Sequence, residues 1–279
     1  MRREFHQVDV FTDEPYLGNP VAVVLDGEGL TTDQMQQIAN WTNLSETTFV
    51  VPPSSDDADY AVRIFTRDVE LPFAGHPTIG TCHAWLATGG RPAREEVVVQ
   101  ECGVGLVELR REDGRLAFAG PPVLRSDPLD DALLADLCEV LRISPSSVVE
   151  ARWADNGPGW AALRLERAEE VLALRPDPTG GRPLDIGVVG PHPPGSECAV
   201  EVRAFFCQDG PLAEDPVTGS LNAALAPWLF DSGLVESPYV ASQGTALGRR
   251  GRVHVQRDPD GTVWVGGHAV SCITGELTA

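Results

Sequence analysis

One short pattern occurs twice in this 279-residue chain, and it limits the architectures open to it. The stretch Leu71-Pro-Phe-Ala-Gly-His-Pro-Thr-Ile-Gly80 aligns with Ala213-Glu-Asp-Pro-Val-Thr-Gly-Ser220. His76 then falls on Asp215, Pro77 on Pro216, Gly80 on Gly219, Thr81 on Ser220, Ala84 on Ala223 and Leu86 on Leu225. The offset, 215 − 76 = 139, is close to half of 279. Upstream, Val62-Arg-Ile-Phe65 returns as Val202-Arg-Ala-Phe205; downstream, Asp113–Gly120 resembles Asp260–Gly267, each a turn followed by a strand. Two copies at so long a period indicate a pseudo-dimer of lobes rather than a solenoid. Each half is expected to present a Pro-x-x-Gly-[Thr/Ser] turn that opens a helix. The turn carries a histidine in the first half and an aspartate in the second, unlike groups suited to proton transfer.

Composition narrows the class of partner. With 41 acidic and 21 basic residues, the formal charge is −20, a field that repels phosphate backbones and anionic lipid surfaces. Nucleic acid and membrane are therefore excluded as expected partners, and a small molecule remains. An anionic substrate would also be repelled at long range, so its site must rest on local donors. The chain is 42% hydrophobic, enough for one large core or two medium ones. Six cysteines without a Cys-x-x-Cys pair read as reduced thiols. The start, Met1-Arg-Arg-Glu-Phe-His, reads as a strand without an apolar leader, and no apolar run approaches membrane-spanning length. A cytoplasmic protein is expected.

Periodicity supplies the elements. Strands are expected at Phe5–Phe11, Val21–Leu25, Tyr60–Thr66, Val97–Gln100, Gly105–Arg110 and Leu116–Phe118. Thr31-Thr-Asp-Gln34 forms a capping box ahead of a helix whose apolar face is Met35, Ile38 and Ala39. The second half offers a helix over Leu129–Leu141, and strands at Trp160–Leu165, Val200–Phe206, Tyr239–Ala241, Arg252–Gln256 and Thr262–Val265. Helices at about Thr78–Ala87 and Leu221–Phe230 are apolar on nearly every side and should be buried. Pro/Gly-rich loops lie at Pro121–Asp127 and Pro176–Pro183, and the first marks the boundary between residues 1–121 and 122–279, with the C-terminal strand free to return to the first lobe.

The chemistry should sit where the two helices open. A helix N-terminus presents unpaired N–H groups and partial positive charge, and two such ends would cradle a substrate carboxylate. His76 and His83 share a helical face, but no third ligand accompanies them, so no metal site is expected. Cys102-Gly-Val-Gly-Leu is too short for a dinucleotide fingerprint.

Asn43-Leu-Ser-Glu-Thr-Thr-Phe, Leu71-Pro-Phe-Ala-Gly-His-Pro-Thr, Glu214-Asp-Pro-Val-Thr-Gly-Ser and Ser242-Gln-Gly occur in order. Together with Val8-Asp-Val-Phe-Thr, Gly18-Asn-Pro20 and Val265-Gly-Gly-His-Ala-Val270 they resemble the PhzF-like isomerases of phenazine biosynthesis, within the diaminopimelate epimerase superfamily. The resemblance covers nearly the whole chain. It implies an α+β, diaminopimelate epimerase-like fold: two pseudo-symmetric lobes, each a curled β-sheet around a central α-helix, with the active site between them. It also implies a homodimer that uses no metal or organic cofactor.

Site residues follow from the same resemblance. Glu46 matches the general acid/base that takes a proton from carbon and returns it elsewhere; Asp215 and His76 match its supporting pair. Asp215 also reads as a helix N-cap. Ser220 matches a pocket hydroxyl, Gly75 and Gly219 offer backbone amides to a carboxylate, and Asn19 offers a side-chain donor. Ser45, beside Glu46, and Asp155, in the Asp155-Asn-Gly-Pro-Gly-Trp160 turn, are expected to contact substrate. Glu46 has no visible twin in the second half. Superfamily members that use two opposed cysteines are a poorer match, because Cys82 lies inside the first buried helix opposite Leu221. The expected activity is a cofactor-independent isomerase moving a proton on a small carboxylate-bearing substrate. A two-base racemase or epimerase of amino or hydroxy acids and a non-catalytic small-molecule binder are the alternatives.

Overall fold

The computed structural model describes residues 1–179, 185–207 and 211–279, so part of the expected loop at Pro176–Pro183 lies outside the described residues. Two compact units emerge: Met1–Ala119 with Gly266–Ala279, and Gly120–Val265. The second unit thus closes at Val265 rather than at residue 279, because the last strand pairs with the first.

The first unit contains β1 (Arg2–Val10), β2 (Asn19–Val24), α1 (Thr32–Thr42), β3 (Thr47–Val51), β4 (Tyr60–Phe65), β5 (Glu70–Leu71), α2 (Gly75–Ala87), β6 (Val97–Cys102), β7 (Gly105–Glu112) and β8 (Arg115–Ala119). The second contains α3 (Asp131–Leu141), β9 (Val148–Ala154), β10 (Trp160–Leu165), α4 (Ala168–Ala173), β11 (Asp185–Pro191), β12 (Val200–Phe206), β13 (Ala213–Asp215), α5 (Gly219–Asp231), β14 (Tyr239–Gln243) and β15 (Gly251–Arg257), and β16 (Val263–Gly267) runs across the boundary at Val265. Strand β17 (Ala269–Thr278) returns to pair antiparallel with β1.

Local chemistry explains several of these bounds. Thr31 accepts the Gln34 amide at 3.2 Å while the Gln34 side chain accepts the Thr31 amide at 2.9 Å, closing the capping box of α1. Asp130 caps α3 by accepting from the Leu133 amide at 2.8 Å. Helix α2 packs against β1, β2, β3, β6, β8 and β17, and residues 75–82 are all buried. Gly80 permits this contact, since a β-carbon there would stand 2.3 Å from Val21 Cγ1. Helix α5 is buried over most of its length and packs on β9 and β15. Both match the expectation from their unbroken apolar sequence.

The duplication is written in the strand pairing. In the first unit β1–β2 is antiparallel, β2–β3 parallel, β3–β4 and β4–β5 antiparallel, β4–β6 parallel and β6–β7 antiparallel. In the second, β9–β10, β10–β11, β11–β12, β12–β13, β12–β14 and β14–β15 repeat that series in order. A pair of side chains pins the phase. Arg63 forks onto Glu70 at 2.7 Å and 2.7 Å and lies over Phe65; Arg203 forks onto Glu214 at 2.9 Å and 2.7 Å and lies over Phe205.

That phase corrects the motif alignment. Helix α2 starts at Gly75 and α5 at Gly219, an offset of 219 − 75 = 144 rather than 139. Pro77 lies within the first turn of α2, whereas Pro216 lies ahead of α5. By helix position the partner of His76 is therefore Ser220. Asp215 ends β13 opposite Ala204, the place Leu71 takes opposite Ile64. A proline loses no hydrogen bond in a first turn, so the Pro-x-x-Gly-[Thr/Ser] pattern tolerates either placement and does not fix where the helix begins.

Candidate active site

In the first unit three side chains gather at the opening of α2. Asn19, the first residue of β2, is fully buried, and its Nδ2 lies 3.5 Å from His76 Nδ1. The preceding loop sets its position: Asp9 accepts the Gly18 amide at 2.9 Å, and a β-carbon on Gly18 would stand 2.2 Å from the Val10 carbonyl oxygen. Glu46 sits one residue before β3, and its Oε2 approaches His76 Nε2 to 3.3 Å. Ala74, the N-cap of α2, makes no side-chain capping bond, so the expected amide donors around Gly75 are not consumed by a cap. Ser45 is exposed beside Glu46.

Burial lowers the His76 pKa from its ordinary 6.5 to about 3, against an opposing contribution from the Pro20 carbonyl. His76 is thus a neutral imidazole at working pH. It faces Glu46 as a neutral ring and not as a cation. The folded state resists protonating His76 while the unfolded chain protonates near 6.5, so this residue favours folding fully above 6.5 and withdraws that support as pH falls toward 3. His76→Gln is expected to shrink the loss of urea midpoint between pH 7.5 and 4.5. An unchanged loss would place the acid sensitivity elsewhere.

In the second unit the opening of α5 is held by a buried polar network. Thr218, the N-cap, donates its hydroxyl to Asp215 Oδ2 at 2.6 Å and receives a hydrogen bond from Gln243 Nε2 at 2.9 Å. Gln243 Oε1 accepts from the Thr218 amide and from Asn222 Nδ2, each at 3.0 Å, and Asn222 Nδ2 also reaches the Thr218 carbonyl at 2.9 Å. Thr218, rather than Asp215, is the cap residue, and the network fixes one carboxylate oxygen of Asp215. Ser220 Oγ accepts from Trp160 Nε1 at 3.1 Å, and Asn156 Nδ2 donates to the Ser220 carbonyl at 3.0 Å. Asp155 instead spends Oδ1 on the amides of Gly157 and Gly159, at 2.8 Å and 2.9 Å, which shapes its own turn.

Thus Asn19, Glu46, His76 and Gly75 come together in one unit, and Asp215, Gly219 and Ser220 in the other. Sequence reasoning gave no role to Gln243, Thr218, Asn222, Asn156 or Trp160 as contacts of these groups. The Ser242-Gln-Gly motif was the available signal for Gln243, which the structure buries at the end of β14. Cys82 is buried in α2, and its thiol is pushed up to about 12 by that burial, which suits a core residue and not a thiolate base.

Residues 8–275 match the family model of phenazine biosynthesis-like proteins. This chain belongs to that family. It is 37% identical to "Antisense-enhancing sequence 1" of Schizosaccharomyces pombe, over 98% of this chain and 97% of that one. It is 33% identical to the trans-2,3-dihydro-3-hydroxyanthranilate isomerase of Pseudomonas fluorescens, covering 87% of this chain and 86% of that protein. The Bacillus anthracis PhzF-family crystal structure superposes with a TM-score of 0.85 at 21% identity and covers both chains completely, so the fold is that of PhzF proteins. The family is one of isomerases, and the chain is an enzyme of that class. No helix among the described residues is long and apolar enough to cross a membrane.

Proposed function

We propose that this enzyme moves a proton on a small carboxylate-bearing substrate without a cofactor, with Glu46 as the general acid/base. The observation that carries this reading is the half-buried Glu46 carboxylate beside a neutral His76, at the mouth of a buried helix whose first amides have no side-chain cap. A carboxylate beside an imidazole rather than an imidazolium is poised to accept a proton, while the uncapped amides suit a substrate carboxylate. We take each unit as a sheet curled about its buried helix. Asp215, oriented through Thr218 and Gln243, is taken to hold a polar group of the substrate. A cytoplasmic homodimer is part of the same proposal.

A relative named for trans-2,3-dihydro-3-hydroxyanthranilate makes that compound the first member of a test panel, followed by amino and hydroxy acids. The measurement is NMR of each compound with wild-type enzyme in D₂O. Movement of a substrate proton to a second carbon supports the isomerase. Solvent exchange with inversion at a stereocentre supports a two-base racemase pairing Glu46 with Asp215. Binding without any exchange would leave a small-molecule carrier and overturn the reaction assigned.

A further inference from the structure

We propose that Asp185 is a substrate-binding carboxyl of the half-site at the opening of α5, at the position in the second unit that Glu46 holds in the first, and that it binds an ammonium or hydroxyl group of the substrate. This inference rests on the proton-transfer reading above.

Register identifies the position. Phe65 and Phe205 are equivalent, because each lies two residues beyond an arginine that forks onto a glutamate of the next strand: Arg63 onto Glu70 and Arg203 onto Glu214. Phe65 pairs with Thr47, and Phe205 with Ile186. Thr47 pairs in turn with Ala22, and Ile186 with Ala161. Thr47 therefore corresponds to Ile186, and one residue back Glu46 corresponds to Asp185. The same step makes Val21 the counterpart of Trp160. Sequence alone hid the relation, since nothing around Asp185 resembles Asn43–Phe49.

Both carboxyls also face the central helix of their unit. In the first, Val21 packs against Gly80 of α2, and Thr48, two residues beyond Glu46, receives a hydrogen bond from Thr81 of α2 at 2.8 Å. In the second, Asp185 pairs with Trp160, whose indole reaches Ser220 on α5, and a β-carbon on Gly187 would stand 2.5 Å from Leu221 Cδ1 of α5. Alternate residues of a strand share a face, so Asp185 points toward the opening of α5. Asp215 shares that face, through the row Gly187–Ala204–Asp215. The titratable groups on that face are Asp215 and, further along it on β9 and β10, Arg152 and Arg164 paired with Glu150, Arg152 lying over Trp228 of α5. The neighbours Trp160 and Ala162 on β10, Ala204 and Phe206 on β12, and Ser220 and Leu221 on α5 carry no charge. Helix α4, with Glu169 and Glu170, packs on the opposite face, where Gly190 meets the Arg167 carbonyl and Val171.

Burial alone raises the Asp185 pKa to about 6, and no arginine among the described residues offsets it. A carboxyl kept half-buried with no counter-ion among the described residues, where an apolar residue would pack, fits a group whose partner arrives with the substrate. Above about pH 6 it is ionised and attracts an ammonium or hydroxyl donor; below, that attraction fades.

The test compares wild type, Asp185→Asn, Asp185→Glu and Glu46→Gln on whichever panel compound the wild type turns over. Asp185→Asn is expected to lower kcat/KM at pH 7.5 about tenfold, mainly through KM, and to flatten its fall between pH 7 and 5; Asp185→Glu should restore the slope. A substrate-free reading accompanies it. Since the folded-state pKa is raised, ionisation above pH 6 weighs against folding, so Asp185→Asn should raise the Tm at pH 7.5 and have little effect near pH 4. Wild-type kcat/KM and pH slope in Asp185→Asn would overturn the inference. So would an equal loss of Tm at both pH values, or failure of both variants to fold, since each assigns the carboxyl to structure. If the wild type exchanges no proton on any compound, the proton-transfer reading itself falls; if it does and Asp185→Asn matches it, this inference falls alone.

Discussion

Glu46→Gln is expected to slow turnover at least about 10²-fold while leaving the fold in place. The substitution keeps shape and hydrogen-bonding reach but removes the group that accepts the proton. Removal of a positioned acid or base typically costs about 10²- to 10⁴-fold, and two decades correspond to about 2.7 kcal/mol of barrier. Glu46 borders β3, its side chain is 16% exposed, and the imidazole beside it is neutral, so glutamine of the same shape breaks no ion pair there. Single-turnover rates at saturating substrate, together with unchanged circular dichroism and Tm, are the measurements. The loss should fall on kcat, which separates it from the KM effect expected at Asp185. Turnover within about threefold of wild type would remove Glu46 from the reaction, given the size of effect that such groups supply.

The largest effect on stability should come from Arg203→Met. The two arginine–glutamate forks are geometrically alike but differ in surroundings. Arg63 and Glu70 are 29% and 38% exposed, whereas Arg203 and Glu214 are 5% and 10% exposed. Exposed pairs contribute about 0–1 kcal/mol. Breaking a buried pair strands the partner's charge and costs about 3–5 kcal/mol. Arg203 also closes the C-terminal end of α4, where its Nη1 donates to the carbonyls of Val171 and Leu174 at 3.2 Å and 3.0 Å. Those carbonyls would lose that donor as well. Urea denaturation of Arg203→Met, with Arg63→Met as control, should show a loss several times larger in the first. Adding Glu214→Gln to Arg203→Met should recover part of it by removing the stranded charge. Equal losses in the two single variants would refute the assignment.

These forks also show how far the sequence reaches. Val62–Phe65 and Val202–Phe205 were legible as a repeat, and the structure gives both copies the same kind of partners. What differs is burial, and burial decides the energy. The capping box of α1 and the buried character of α2 and α5 were equally legible, because short contacts and local hydropathy encode them. Glu46, His76 and Asn19 were legible through the motifs around them. Gln243 was visible within Ser242-Gln-Gly, but its bonds to Thr218 and Asn222 span more than twenty residues of chain and have no local signature.

By itself, then, the sequence determined that the chain is a duplication, that two apolar helices would be buried, and which residues stand near the start of each. Tertiary structure alone decided the phase of the second copy. Strand register is set by hydrogen bonds between residues distant in the chain, and a helix begins where its first amides are placed by the packing of its sides. Neither quantity is carried by a Pro-x-x-Gly-[Thr/Ser] match. Hence His76 and Asp215, which align as letters, occupy different places, while Glu46 and Asp185, which do not align, occupy the same one.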